Sequence, residues 1–188
     1  MGNYYKTRES VEEYIRLATG HDGAKNIEEL LKYLPAFSSI LEIGSGPGTD
    51  WHILKKNYKI TGSDNSPEFL KHLKASFPEG EFLLLDASTL ITNQTFDGIY
   101  SNKVLHHLED EALETSIHRQ AEILKPGGIV CHTFWKGKDS EIYNDLLVNY
   151  HTDTGLRELF ENLFEPLLIK YYQEFEKSDS LLFIGKKK

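Results

Sequence analysis

Apolar residues along this chain fall into two alternating patterns, short unbroken runs and stripes at helical spacing. Ser10-Val11-Glu12-Glu13 has the form of a capping box opening a short helix, with Gly20 as its stop. Ile27, Leu30, Leu31 and Leu34 follow i, i+3, i+4, i+7, which predicts a second helix from Asn26 to the break at Pro35. Ile40-Leu41-Glu42-Ile43 reads as a buried strand; a glycine cluster follows, and Trp51 and Leu54 carry the next helix. A second strand runs from Lys59 to Ser63. Ser66-Pro67-Glu68 then starts a helix with an N-cap hydroxyl, a proline at the first position and an acid at the positive dipole end. Phe69, Leu70, Leu73 and Phe77 form its apolar stripe. Strands are predicted at Phe82–Leu85 and Phe96–Tyr100, then a long helix from Asp110 with Leu113, Ile117, Ala121 and Leu124 on one face. Lys125-Pro126-Gly127-Gly128 stops that helix, and Ile129–Phe134 is the fifth strand. Helices around Ile142–Tyr150 and Leu156–Leu163 and strands near Leu167–Tyr172 and Leu181–Ile184 complete the pattern.

Strands alternating with helices predict an α/β fold, a mostly parallel sheet covered by helices on both faces. The turn Glu176–Ser180 is too short for a parallel crossover, which needs about a dozen residues, so the last two strands are expected to form an antiparallel hairpin at a sheet edge. With 188 residues the chain is expected to form one domain. Within it, residues 1–36 are read as an N-terminal helical cap over a binding site and residues 37–188 as the core.

Composition narrows the function. The 21 Lys+Arg against 29 Asp+Glu give a net charge of −8, which argues against a broad face for duplex nucleic acid. Cys131 is the single cysteine, so no intrachain disulfide can form and no cysteine-rich metal site is available, in keeping with a reducing cytoplasm. No apolar run approaches the roughly 18 residues a membrane span needs, and Met1–Ser10 has no signal-peptide core. No histidine spacing suggests a metal. No nucleic acid, membrane or metal partner is therefore expected, and the chain reads as cytoplasmic.

The chemistry concentrates in Glu42-Ile43-Gly44-Ser45-Gly46-Pro47-Gly48, where the first strand meets its helix. Glycines there permit positive φ and let a ligand lie against the backbone, and the carboxyl end of this strand is where open α/β sheets bind ligands. The spacing is G-x-G-x-G rather than the G-x-G-x-x-G of dinucleotide folds.

That acid-x-G-x-G-x-G pattern resembles the first motif of class I S-adenosylmethionine-dependent methyltransferases, and the resemblance extends over most of the chain. It implies a Rossmann-like seven-stranded sheet of order 3-2-1-4-5-7-6 with the last strand antiparallel. It also implies S-adenosylmethionine as cofactor, held by Glu42, Gly44, Ser45, Gly46 and Gly48. Asp64, closing the second strand, takes the place of the family's ribose acid, with Asn65 beside it; Asp86, after the third strand, takes the place of the residue that reads the adenine amine, with the Ala87 backbone. Ser101 and Asn102 end the fourth strand, which lines the methionine end in this family. Val104-Leu105-His106-His107-Leu108 and Leu124-Lys125-Pro126-Gly127-Gly128 are similar to stretches of its small-molecule branch. Asn65 stands where the family often has an apolar residue against adenine, and Phe69, Leu85 or Leu90 could supply that contact instead.

After the fourth strand comes Ser101-Asn102-Lys103-Val104, where amino-group methyltransferases of nucleobases or glutamine have an acid or Asn followed by Pro-Pro-aromatic and cytosine-carbon enzymes a Pro-Cys nucleophile. These absences and the net charge of −8 favour a small-molecule acceptor. The family transfers a methyl group by in-line displacement, which needs alignment above all, with a base only if the acceptor must lose a proton. Candidates on the acceptor side are Tyr4, Tyr5, Tyr14, His21, His106, His107 and His151, of which His106, His21 and Tyr5 are the catalytic candidates. Two other classes stay open: a cofactor-binding regulatory module without turnover, and a nicotinamide-dependent oxidoreductase.

Overall fold

Along each central strand, neighbouring side chains go to opposite faces of one sheet, and this decides where the helices pack. In the computed structural model, which describes residues 5, 7–144 and 146–188, the sheet is built on β1 (Ser39–Ile43). Leu41 and Ile43 face one core, with Ile99 and Val130 of the neighbouring strands. Ile40 faces a second core, with Tyr100, Ile129 and Cys131.

The elements are α1 (Arg8–Leu17), α2 (Ala24–Leu30), β1, α3 (Thr49–Leu54), β2 (Lys59–Asp64), α4 (Pro67–Ser76), β3 (Glu81–Leu84), β4 (Phe96–Asn102) and a 3-10 turn (Leu105–His107). After these come α5 (Asp110–Ile123), β5 (Leu124–Trp135), β6 (Ser140–Tyr143), β7 (Leu146–Asn149), α6 (Asp153–Phe160), β8 (Phe164–Tyr172) and β9 (Ser180–Lys187). Seven strands form one sheet in the order β3-β2-β1-β4-β5-β9-β8. β1 to β5 pair in parallel, and β9 runs antiparallel to both β5 and β8. This is the expected seven-stranded order, reached with a separate two-stranded hairpin inserted after the fifth strand. Leu113 and Ile117 of α5 and Leu156 and Phe160 of α6 cover one face; Ile27 and Leu30 of α2 and Leu54 of α3 cover the other. Trp51, Leu70, Leu73 and Phe82 tie α3, α4 and β3 together.

Four local expectations need correction. The segment expected to be a helix at Ile142–Tyr150 is the β6–β7 hairpin, with Tyr143 opposite Leu146. Ile142, Leu146, Leu147 and Tyr150 mimic helical spacing, but Leu146 and Val148 are the buried pair, a period of two. Asn144 holds a left-handed φ of 50°, a conformation asparagine tolerates in tight hairpin turns. At the N-terminal end, Thr7 rather than Ser10 caps α1, its hydroxyl accepting from the Ser10 N–H at 3.2 Å. Helix α2 starts at Ala24 behind Gly23 and ends at Leu30, ahead of the predicted stop at Pro35. Leu34 is buried beyond the helix end, where its carbonyl accepts from the Tyr58 hydroxyl. Finally, β5 begins at Leu124, so the Pro-Gly-Gly stretch is an irregularity within the strand: Phe96 pairs with Leu124, while Gly98 pairs with Ile129.

Candidate active site at the carboxyl edge of the sheet

The loops after β1, β2, β3 and β4 meet around one cavity of about 570 Å3, a size typical of small-ligand sites. The glycine loop forms its floor. Gly44, Gly46 and Gly48 have φ of 70°, 48° and 85°, a region that side chains with a Cβ avoid. Their roles differ. A Cβ on Gly44 would come within 2.6 Å of Val104, and one on Gly48 within 2.6 Å of Phe77, whereas at Gly46 the nearest atom would be Tyr14 at 3.9 Å. Gly46 therefore leaves its backbone open to a ligand, while Gly48 allows α3 to pack on α4 and does not line the cavity.

Asp64 closes β2 against this loop. One carboxylate oxygen accepts from the Gly46 N–H at 3.0 Å and the other from the Ser66 N–H at 2.9 Å. Burial pushes its pKa up, against the pull of these backbone donors. Glu42 is 2% exposed and accepts from the Ser45 hydroxyl at 2.6 Å. Burial, and then the nearby Asp50 and Asp64, raise its pKa to about 8. A carboxyl group held protonated in the fold, with an ordinary pKa of 4.5 when unfolded, contributes stability at low pH that is lost as pH rises towards 8. Glu42→Gln is expected to flatten the fall of Tm between those limits in the ligand-free protein, as differential scanning calorimetry would read; an unchanged slope would contradict the assignment.

Asp50, in the first turn of α3, gathers three chain segments. It accepts from the Gly23 N–H at 2.7 Å, the Tyr100 hydroxyl at 2.7 Å and the Asn102 amide at 2.9 Å. The Asn102 oxygen in turn accepts from Thr133, which also accepts from the Lys103 N–H at 2.9 Å. Burial raises the Asp50 pKa too, so three carboxylates with raised pKa share one end of the cavity.

Of the residues the sequence nominated for a cofactor, Glu42, Gly44, Ser45, Gly46, Asp64, Asn65, Ala87 and Asn102 line this cavity, with Phe69 and Leu85 beside them. Gly48, Asp86 and Ser101 do not. Asp86 is exposed and accepts from the Ser88 N–H at 2.8 Å, capping its own turn, and it also interacts with the Asn65 side chain. The Ser101 side chain is fully buried within the sheet, bonded at 2.8 Å to His132 Nδ1. Leu90 lies in the core rather than at the cavity.

The acceptor candidates Tyr5, Tyr14, His21, His106 and His107 all reach the cavity; His151 does not line it, and Tyr4 lies outside the described residues. Tyr5 and Tyr14 pack against Phe69, with ring centroids at 5.6 and 5.8 Å. Sequence reasoning missed Asp50, Lys103, Trp135, Phe175 and the hairpin residues Tyr143, Asn144, Leu146 and Val148. Asp50 carries a weak signal, as an acid in the first turn after the glycine loop. The others are brought in by chain segments whose approach to the cavity no local pattern encodes.

Comparison with known proteins agrees with this geometry. Residues 40–128 match the family model described as "Methyltransferase domain". The match covers just under half of the chain and supports a class I S-adenosylmethionine-dependent methyltransferase. Among curated relatives, it is 34% identical over 76 residues to a trans-aconitate 2-methyltransferase of Enterobacter sp. (strain 638), covering 39% of this chain and 30% of that protein. It is 27% identical over 142 residues to the 2-methyl-6-phytyl-1,4-hydroquinone methyltransferase of Synechocystis sp. (strain ATCC 27184 / PCC 6803 / Kazusa), covering 72% of this chain and 43% of that protein. The chain thus spans less than half the length of these relatives. Its fold matches solved structures: the N-methyltransferase NodS of Bradyrhizobium japonicum WM9 in complex with S-adenosyl-L-homocysteine superposes with a TM-score of 0.76 at 19% identity, covering 100% of this chain and 99% of that one. The 1,6-didemethyltoxoflavin-N1-methyltransferase of Burkholderia thailandensis gives a TM-score of 0.78 at 20% identity, covering 95% of this chain and 84% of that one.

Proposed function

We propose that this protein is a class I S-adenosylmethionine-dependent methyltransferase that binds the cofactor and transfers its methyl group to a small-molecule acceptor in the cytoplasm. The observation that carries the reading is the convergence of Gly46, Asp64 and Asn102, from three separate loops, on one cavity whose cofactor end is lined by carboxylates. A carboxylate at Asp64 suits a ribose diol, because it accepts two hydrogen bonds at once. Glu42, Asp50 and Asp64 together suit a ligand carrying a sulfonium and an ammonium, since opposite charge returns buried acids to their ionised forms. Gly44 and Ser45 belong to the same cradle; Gly48 and Ser101 support it from behind. Asp86 would need to turn from Ser88 to reach an adenine amine. Of the proposed catalytic candidates, His106 comes from the 3-10 turn after β4 and His21 and Tyr5 from the N-terminal segment, and all three line the cavity.

No oxyanion forms when a methyl group leaves a sulfonium, so the protein's main work is orientation, which can supply as much as about 7–11 kcal/mol. The small-molecule assignment draws on the cavity of about 570 Å3, the net charge of −8 and the named substrates of the relatives. Thermal shift tests the reading. S-adenosylhomocysteine at a hundredfold above its Kd should stabilise by about 2.7 kcal/mol, raising Tm by about 5–10 °C, while NAD leaves it unchanged. Stabilisation by NAD alone would reverse the assignment. A metabolite panel assayed for methyl transfer then separates an enzyme from a sensor that only binds the cofactor.

A further inference from the structure

The loop after β3, which carries Asp86 and Ala87, is held from outside its own sequence. Within the loop, the Asp86 carbonyl accepts from the Leu90 N–H at 2.9 Å, and the Asp86 carboxylate accepts from the Ser88 N–H at 2.8 Å. The Ala87 carbonyl takes its donor from elsewhere: it accepts at 2.6 Å from the hydroxyl of Ser116, on α5, 29 residues further along the chain. Ser116 is fully buried, and Ala87, which lines the cavity, is 3% exposed. The Ala87 N–H has no hydrogen-bond partner among the described residues.

Ser116 ends a chain of fully buried side chains. Its hydroxyl accepts from the Gln120 amide at 3.2 Å, the Gln120 oxygen lies 2.8 Å from His132 Nε2, and His132 Nδ1 lies 2.8 Å from the Ser101 hydroxyl. The Ala87 carbonyl fixes the order of protons along this chain, because a carbonyl only accepts. Ser116 must direct its single hydrogen there, so it takes a hydrogen from the Gln120 nitrogen. The Gln120 oxygen then faces His132 and accepts from Nε2–H, which leaves Nδ1 bare to accept from Ser101. Burial lowers the His132 pKa to about 3, so the ring is neutral and carries the one hydrogen this order needs. A chain satisfied in this way holds one arrangement, since turning any member strands a buried group. It starts next to Asn102, on one wall of the cavity, and ends on Ala87, on another.

We infer that Ser116, oriented by Gln120, His132 and Ser101, is a positioning residue that sets the Ala87 backbone against the cofactor's base, and that this buried chain decides how strictly the site selects adenine. The inference rests on the methyltransferase reading above, in which the Ala87 backbone stands at the adenine. Ser116 touches no ligand and acts through the Ala87 carbonyl. With that carbonyl tied to α5 and the Asp86 carbonyl tied to Leu90, the peptide between Asp86 and Ala87 is held on both sides, and its N–H keeps one direction. Adenine offers such a donor a bare ring nitrogen at N1. Hypoxanthine carries a hydrogen there and sets donor against donor. Releasing the carbonyl would let the peptide turn and would blur that distinction.

The test titrates the full chain calorimetrically with two probes, S-adenosylhomocysteine and S-inosylhomocysteine, which differ only in the base. Wild-type protein is expected to bind the adenine compound about tenfold tighter or more, the scale of one hydrogen bond. In Ser116→Ala the ratio should fall below about threefold, through weaker binding of S-adenosylhomocysteine. Ile117→Val trims a buried neighbour on the same helix but leaves the Ser116 hydroxyl in place, so it should keep the wild-type ratio whatever it costs in stability. A wild-type ratio near one, a ratio unchanged in Ser116→Ala because both affinities fall together, or an equal loss of selectivity in Ile117→Val would each overturn the inference. Should Ser116→Ala not fold, Gln120→Met decides: it removes the amide that orients the hydroxyl and must lower the ratio, and an unchanged ratio overturns the inference. Failure of wild-type protein to bind S-adenosylhomocysteine at all would strike the underlying methyltransferase reading instead, so the two failures are distinguishable.

Discussion

Asp64→Ala is expected to weaken S-adenosylhomocysteine binding by about a hundredfold, the loss of one or two charge-assisted hydrogen bonds worth about 1.5–3 kcal/mol each. The carboxylate has two tasks in the structure. It offers acceptor capacity to the cavity, and it pins the Gly46 and Ser66 N–H groups in place. Removing it would take away the proposed ribose contact and loosen the glycine loop, which loses its bond at the Gly46 N–H. Fold stability should change much less, because burial already disfavours the charge there, as the upward pKa shift shows. Asp64→Asn separates the two tasks: its remaining oxygen can hold one backbone donor, but it brings no charge to the ribose. Isothermal titration would measure both variants. Affinity within twofold of wild type for Asp64→Ala would remove the ribose assignment.

Asp50→Ala is expected to act chiefly on stability. The carboxylate satisfies Gly23 N–H, Tyr100 hydroxyl and Asn102 amide at once, and Tyr100 is fully buried. Its removal strands up to three donors, at about 1–3 kcal/mol for each that stays buried without a partner. Water entering the vacated space offsets part of this, so a net loss of about 3 kcal/mol and a Tm fall of about 6–12 °C are expected for a chain of this size. Asp50→Asn should not restore the loss in full, because an amide group turned towards Asn102 sets donor against donor. Cofactor affinity should fall with stability, since Asn102 would lose one of the two bonds that fix its amide, the other being the one from Thr133. A Tm within about 2 °C of wild type would mean that the three segments are held by other contacts.

The two residues show how unequally the site could be read from the chain. Asp64 was legible because its place is local: it follows a strand-like run and precedes the helix start Ser66-Pro67-Glu68. Asp50 looked like an ordinary first-turn helix acid, and nothing near it in sequence announces Gly23, Tyr100 or Asn102 as partners. Asp86 was legible as the acid after the third strand, yet its side chain folds onto Ser88, a choice made by a two-residue turn rather than by the strand pattern. The hairpin at Ser140–Asn149 was misread because four apolar residues at helical spacing also fit a two-stranded ribbon. Its register is decided by burial of Leu146 and Val148 against the rest of the molecule.

By itself the chain determined most of its strand and helix alternation, the glycine loop and the closing antiparallel hairpin, because each depends on contacts within a few residues or on rules of chain connection, while the order of the sheet followed from the family resemblance. Tertiary structure alone decided which side chains share the cavity. The aromatic rings lining it come from the turn after α1, the 3-10 turn after β4, the end of β5 and the segment between β8 and β9. The unpartnered nitrogen of His106 is a property of that assembly. Hydrophobic burial is specified residue by residue along the sequence, but the meeting of polar groups from distant segments is fixed only when those segments pack.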